Sequence, residues 1–303
     1  MKPSFRIGID LGGTKIEAIA LDSHGTVRLR HRVQTPAGDA DRTIAAIRDL
    51  VHAVEAKLGG KGTVGMGTPG SLSPVSGLLR NANSTCLNGL PLDRLIAQAL
   101  GREVRIANDA NCFALSEAAD GAAAGATVVF GVILGTGVGG GLVIDGKLLH
   151  GRHGIGGEWG HNPLPWPTDA ERPGPACFCG RSGCIETFLS GPGMAADHRA
   201  AGGSDLSARE IAAQAESGDP AAQATLDRYI DRLARGLAHV INLVDPDVIV
   251  LGGGLSNLAL LYDSVPARWG RHVFSDVVAT RLVPPRHGDS SGVRGAAWLW
   301  PAQ

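Results

Sequence analysis

Short, almost uninterrupted apolar runs alternate with longer stretches in which apolar residues recur every three or four positions. FRIGIDL (5–11) and EAIAL (17–21) read as buried strands, and VRLRHRV (27–33) alternates as a third. Residues 22–25 supply the turn between the second and third. Ile44, Ile47, Leu50, Val51, Val54 and Leu58 share one helical face, so the spacing predicts a helix there. A short strand from Val64 to Gly67, a TPG loop, an Asn- and Ser-rich loop (81–84), a helix opening at Pro91 and a strand VRIA (104–107) follow. Near residue 120 the pattern starts again. TVVFGVIL (127–134) enters GTGVGGG, then LVI, a hairpin turn at Asp145-Gly146, and LLH. Helical stretches near 207–216 and 220–243, a strand DVIVL (247–251) and a closing helix in GVRGAAWLW complete the chain. IGIDLGGT and VILGTGVG are both strand, glycine turn, strand. The reading is therefore α/β, with two similar halves and a glycine turn from each facing a cleft.

Composition narrows the function classes. The 303 residues carry 28 Lys plus Arg against 29 Asp plus Glu, a formal charge of -1. That balance gives no electrostatic footprint for nucleic acid or an anionic membrane. The apolar run at 127–134 is far short of the ~20 residues of a membrane span. The opening MKPSFRIGIDLGG has no apolar segment of the secretory kind, so a soluble, cytoplasmic protein is expected. Glycine stands out, with 44 residues, about twice the usual share of ~7%. These residues cluster at 12–13, 65–70, 135–141, 151–160 and 252–254, mostly behind apolar runs, as in loops that approach a ligand closely. Three of the five cysteines fall within eight residues, which favours metal binding over a disulfide framework.

Two glycine motifs mislead. Gly135, Gly137 and Gly140 match the dinucleotide fingerprint, but strand material follows where that motif needs a helix. The stretch 141–148 matches a phosphate-binding loop until Leu148, which lacks the hydroxyl that holds magnesium, so an ordinary hairpin is expected. Three other motifs carry chemistry. In IGIDLGGTK, Asp10 ends a buried strand, and Gly12, Gly13, Thr14 and Lys15 offer N–H groups, a hydroxyl and a cation. This suits a magnesium–triphosphate, against the plainer reading of a tight hairpin capped by Asp10. Gly135, Thr136 and Gly137, with Gly252, Gly253 and Gly254 after DVIVL, tip the balance towards nucleotide. Asp109 follows a strand and opens a helical pattern; it is either a helix cap or a general base for phosphoryl transfer to a hydroxyl. GEWGH precedes Cys177, Cys179 and Cys184 in CxCx4C spacing, and with His161 they make a Cys3His set for a closed structural zinc. That zinc would pin a loop carrying Glu158 and Glu186, whose carboxylates suit a polyol. No nucleophile elbow of a hydrolase occurs, and Cys86 and Cys112 read as small buried hydrophobes.

Taken in order, DLGGTK, GTPG (67–70), ANDAN (107–111), LGTGVGGG, GEWGH, CFCGRSGCIE and VLGGG resemble the ROK family of sugar kinases over essentially the whole chain. The resemblance implies an actin-like, hexokinase-like ATPase fold with two ribonuclease H-like α/β domains flanking a cleft. One domain would take 1–118 and be completed by a helix at 291–303; the other would take 119–290 with the zinc loop. It implies Asp109 as the base acting on the sugar's 6-hydroxyl, with Asn83, Asn108, Glu158, His161 and Glu186 as sugar contacts. ATP and Mg2+ would meet Asp10 and the glycine turns, and a homodimer is implied. Residues 81–92, 157–166 and the ending resemble the bacterial fructokinases, so fructose is the first expected substrate, with mannose as a second. An N-acetylglucosamine, N-acetylmannosamine or glucose kinase is the alternative, and a non-catalytic sugar sensor a minor one. The proline-rich spacer at 162–176 is longer than in many members. Family repressors carry a DNA-binding domain ahead of DLGGT, where this sequence has nine residues.

Overall fold

A computed structural model of the chain describes residues 5–301 except Asn83. In chain order the first strands are β1 (Arg6–Leu11), β2 (Lys15–Leu21) and β3 (Val27–Gln34), followed by helix α1 (Ala40–Leu58). Next come β4 (Thr63–Thr68), the two-residue strands β5 (Ser71–Leu72) and β6 (Leu79–Arg80), helix α2 (Leu92–Leu100), β7 (Val104–Asn108) and helix α3 (Asp109–Ala119). β8 (Val128–Leu134), β9 (Val138–Ile144) and β10 (Lys147–Leu148) begin the second series. Helices α4 (Ile185–Leu189), α5 (Gly191–Ala200), α6 (Ala208–Glu216) and α7 (Pro220–Val244) lead to β11 (Val248–Gly252). Two single-turn helices, α8 (Leu261–Ser264) and α9 (Pro266–Trp269), precede β12 (Arg281–Val283) and the closing helix α10 (Ser291–Trp298).

The repeat read from the sequence is a repeat of topology. The first sheet runs β3-β2-β1-β4-β7 and the second β10-β9-β8-β11-β12. In the first, β1, β2 and β3 pair antiparallel, while β4 and β7 continue parallel to β1. In the second, β9 and β10 pair antiparallel, and β11 runs parallel to both β8 and β12. By internal contacts the chain divides into two compact units. One comprises Met1–Gly125, Gly141–Gly156 and Arg286–Gln303; the other comprises Ala126–Gly140 and Gly157–Pro285. The hairpin β9–β10 therefore ends in the first unit.

Burial follows strand alternation. Ile7, Ile9, Val64 and Met66 are fully buried and pack in one cluster with Ile47, Leu50, Val51 and Val54 of α1 and with Leu92 and Ile96 of α2. Gly8 and Gly65 point to the other face, where a Cβ would overlap Val293 O and Ala296 O of α10. Only glycine lets the closing helix approach the sheet so closely. Glu117 of α3 is fully buried and fastens this end. Its Oε2 accepts from Ala122 N and Arg286 N, and its Oε1 from Ser291 Oγ at 2.7 Å and His287 N at 3.3 Å. Among the described residues, no helix is long and apolar enough to cross a membrane.

Candidate active site and metal centre

In the first unit, the parallel strands β1, β4 and β7 end together. Asp10 pairs in register with Gly67, and Thr68 with Asn108. Carboxyl ends of parallel strands are where open α/β sheets receive ligands. The Gly12–Thr14 turn is closed by Gly12 N donating to Lys15 O at 3.1 Å, and a Cβ on Gly12 would lie 2.9 Å from that oxygen. Thr35 braces the turn through Oγ1 to Gly12 O and N to Thr14 O. Gly13, Thr14 and Lys15 are exposed, so their N–H, hydroxyl and ammonium groups are available to a polyanion.

The two readings of Asp109 separate here. Asn108 is the N-cap of α3, and its Oδ1 accepts from Ala110 N at 2.8 Å and Asn111 N at 3.4 Å. Its Nδ2 donates to Gly70 O, so most of its hydrogen-bonding capacity is spent on the fold. Asp109, the first helical residue, makes local bonds, its Oδ1 accepting from Ala110 N at 2.8 Å. Burial raises its carboxyl above the ordinary range, against the bonds from Ala110 and Asn108. Asp10 is raised to about 6 by burial first, then by the negative charges of Asp109 and Glu17, with Lys15 opposing. Two carboxylates near enough to feel each other, at the ends of β1 and β7, favour binding of a cation or a proton.

In the second unit, the Gly135–Gly137 turn is closed by Gly135 N to Gly137 O, and Gly191 N donates to Gly135 O. Gly135, Thr136 and Gly254 line one cavity of about 820 Å³ with Gly191, Ser207 and Arg209. The other predicted glycines are occupied otherwise. A Cβ on Gly137 would lie 2.8 Å from Glu186 Oε2, Gly252 ends β11, and Gly253 (φ 79°) abuts Leu134 O. β9 follows Gly137, so the dinucleotide fingerprint fails as expected, and Asp145 (φ 51°) with Gly146 (φ 70°) forms the hairpin turn. The helical stretch expected near 207–216 is α6, opened by a capping box of Ser207 and Glu210; sequence reasoning missed only that its first turn lines this cavity.

His161, Cys177, Cys179 and Cys184 come together, all four ligand atoms lying within 4.8 Å of one another. Cys177 Sγ is 3.6 Å from His161 Nδ1, and Cys179 Sγ is 3.6 Å from Cys184 Sγ. A tetrahedral ion with Zn–S bonds of about 2.3 Å sets its ligands about 3.8 Å apart, so the donors and spacing fit zinc. Backbone bonds Leu164 N to Gly183 O and Ile185 N to Asn162 O staple the two ends of the segment. His161 turns Nδ1 to the thiols, leaving Nε2 for another partner. Glu158 lies exposed at the start of the 3-10 turn Trp159–His161. Asn83 lies outside the described residues.

The spacer at 162–176 is held from α7, a contact the sequence does not announce. Glu171 Oε1 accepts from both Arg232 and Arg235 at 2.8 Å, and Arg235 also donates to Pro165 O and Trp166 O. Burial would raise the Glu171 carboxyl, but these two guanidinium groups hold it down at about 2.

A family model described as "ROK family" matches residues 6–303. The chain belongs to the ROK family. An N-acetyl-D-glucosamine kinase of Salmonella gallinarum is 43% identical to this ROK protein over 298 residues, covering 96% of this chain and 98% of that one. Among solved structures, a ROK hexokinase from Thermus thermophilus is similar at TM-score 0.87 and 33% identity, over 97% of each chain. A ROK family glucokinase from Streptomyces griseus, in complex with glucose and AMPPNP, is similar at TM-score 0.76 and 28% identity, over 97% of this chain and 98% of that one. The hexokinase-like ATPase fold expected from the sequence is the fold of this chain.

Proposed function

We propose that this ROK protein transfers the γ-phosphoryl group of ATP to the 6-hydroxyl of a hexose, with N-acetyl-D-glucosamine as the preferred sugar. The observation that carries the catalytic reading is the division of labour at the start of α3. Asn108 caps the helix, so Asp109 is not needed for the cap. Its carboxylate is the base that accepts the proton as the sugar oxygen attacks. Asn108, Glu158, His161 and Glu186 are the sugar contacts, with Asn83 alongside them. The Gly12–Lys15 and Gly135–Gly137 turns hold the phosphates, and Gly254 with the cavity beside it takes the nucleoside.

The sugar assignment follows the relatives, which favour the alternative kept in the sequence reading over fructose, its first choice. A kinase named for N-acetyl-D-glucosamine shares 43% identity over nearly the full length of both chains. A magnesium ion held through Asp10 would neutralise charge developing on the transferring phosphoryl group. His161 with the three cysteines would hold zinc, whose task is to fix the loop carrying Glu158 and His161.

A panel of N-acetylglucosamine, N-acetylmannosamine, glucose, mannose and fructose, followed by ADP release with Mg2+, tests the reading. The highest kcat/KM is expected with N-acetylglucosamine. A lead for fructose would overturn the sugar assignment, and inactivity on every sugar with zinc-replete protein would overturn the kinase reading.

A further inference from the structure

Inside the second unit, the start of β9 is bound to the segments that carry Glu158, His161 and Glu186. Glu186 Oε2 accepts the Val138 N–H at 2.9 Å. Trp159 Nε1 donates to Gly139 O at 3.0 Å, and Gly160 lies so close to Val138 O that a Cβ would overlap it. Val138 directly follows the Gly135–Gly137 turn, whose Gly135 and Thr136 line the large cavity. The Glu186 contact is the one made by an ionisable group. Glu186 Oε1 takes no hydrogen bond within the described residues.

Resting on the proposed function, we propose that Glu186 is a positioning residue that couples sugar binding to the nucleotide turn. A sugar hydroxyl donating to Oε1 fixes the carboxylate, and the fixed carboxylate holds Val138 N–H through Oε2. The start of β9, and with it the turn at 135–137, then has one position when sugar is bound. A charge-assisted bond to a backbone N–H is strong enough for this and directional enough to set geometry. By linkage the effect is reciprocal, so sugar tightens nucleotide by the factor with which nucleotide tightens sugar, typically about 5–150-fold.

Gly137→Ala tests this link, and because Gly137 also belongs to the proposed phosphate turn, the readout is the coupling factor and not a binary affinity. The backbone of Gly137 is outside the left-handed region, so alanine is not strained there. Within 4 Å the new Cβ would meet only Glu186, at Oε2 (2.8 Å) and Cδ (3.7 Å). The flexible end of that side chain can move aside, which breaks the bond to Val138 and leaves the fold intact.

The experiment is calorimetric titration of AMPPNP with and without saturating N-acetylglucosamine, for the wild type, Gly137→Ala and Glu186→Gln. In the wild type the sugar is expected to tighten AMPPNP by about 5-fold or more. In Gly137→Ala that factor falls to within twofold of unity, whatever binary sugar affinity is lost by moving Glu186, itself a proposed sugar contact. Glu186→Gln keeps an acceptor for Val138 but not its charge, and gives an intermediate factor. A merely structural role would weaken both binary affinities and leave the factor unchanged, which would overturn the proposal. So would a wild-type factor near unity in an enzyme that turns over. Turnover on the sugar panel separates the two failures: without it the kinase reading falls, and this coupling falls with it.

Discussion

Asp10→Asn should make the protein more stable near pH 8 and take away its activity. Burial, then Asp109 and Glu17, raise the Asp10 carboxyl from 3.8 to about 6 in the folded chain. A group whose folded pKa is raised holds its proton more tightly when folded. The stability this contributes is complete below about pH 4 and is lost as pH rises through about 6. Above that pH, ionised Asp10 burdens the fold, relative to a neutral isostere, by at most about 3 kcal/mol. Burial raises Asp109 too, so the pair can relieve itself by retaining a proton on either member, and the expected gain is about 1–3 kcal/mol. At about 2–4 °C per kcal/mol, Tm should rise by roughly 2–12 °C. Thermal unfolding by circular dichroism, without nucleotide or divalent ions, would be followed at pH 8, 6 and 4.5. The gap between variant and wild type should be widest at pH 8 and close towards pH 4.5, as wild-type Asp10 takes up its proton. A variant less stable than wild type at pH 8, or a gap independent of pH, would refute the electrostatic reasoning.

Four further outcomes are expected. Asp109→Asn keeps an acceptor for Ala110 N and leaves the Asn108 cap in place, so its Tm should change by a few degrees at most while kcat falls at least ~100-fold; an unchanged kcat would remove Asp109 as base. Because Asp109 must be ionised to act and burial raises its carboxyl, wild-type kcat/KM should fall on the acid side at a pH above the ordinary carboxylate range. Elemental analysis should find one zinc per chain. Its chelation should weaken sugar binding before global unfolding, whereas undiminished sugar affinity in the metal-free protein would contradict the assigned role. Glu117→Ala removes the acceptor of Ala122 N, Arg286 N and His287 N and leaves Ser291 Oγ only its bond to Gly288 O, and should cost about 2–4 kcal/mol in denaturant unfolding.

What the sequence disclosed follows from how local each signal is. β1, β4, β8 and β11 are buried runs with glycine or turn residues behind them, and the helical face of Ile47, Leu50, Val51 and Val54 is the buried face of α1. CxCx4C with a preceding His carries its own geometry, and the four ligand atoms do meet. The three-residue β12 escaped notice because its pairing with β11 is settled by tertiary packing rather than by an apolar run. Whether Asp109 caps α3 turned on the extended backbone of the preceding Asn108, which composition does not determine. Glu171 meets Arg232 and Arg235 across some sixty positions, and Glu186 reaches Val138 across 48. Such pairs have no periodicity to betray them. The preferred sugar was illegible for a related reason: groups that distinguish one hexose from another are placed by loops, not by a motif.

The most direct test of the central claim is the 31P spectrum of the product formed from N-acetylglucosamine, ATP and Mg2+. A phosphoryl group on the 6-hydroxyl gives a resonance split into a triplet by the two C6 protons. Its appearance together with stoichiometric ADP is the result predicted here. A doublet would place the phosphoryl group on a ring carbon and contradict the role given to Asp109, and inorganic phosphate alone would contradict transfer to sugar.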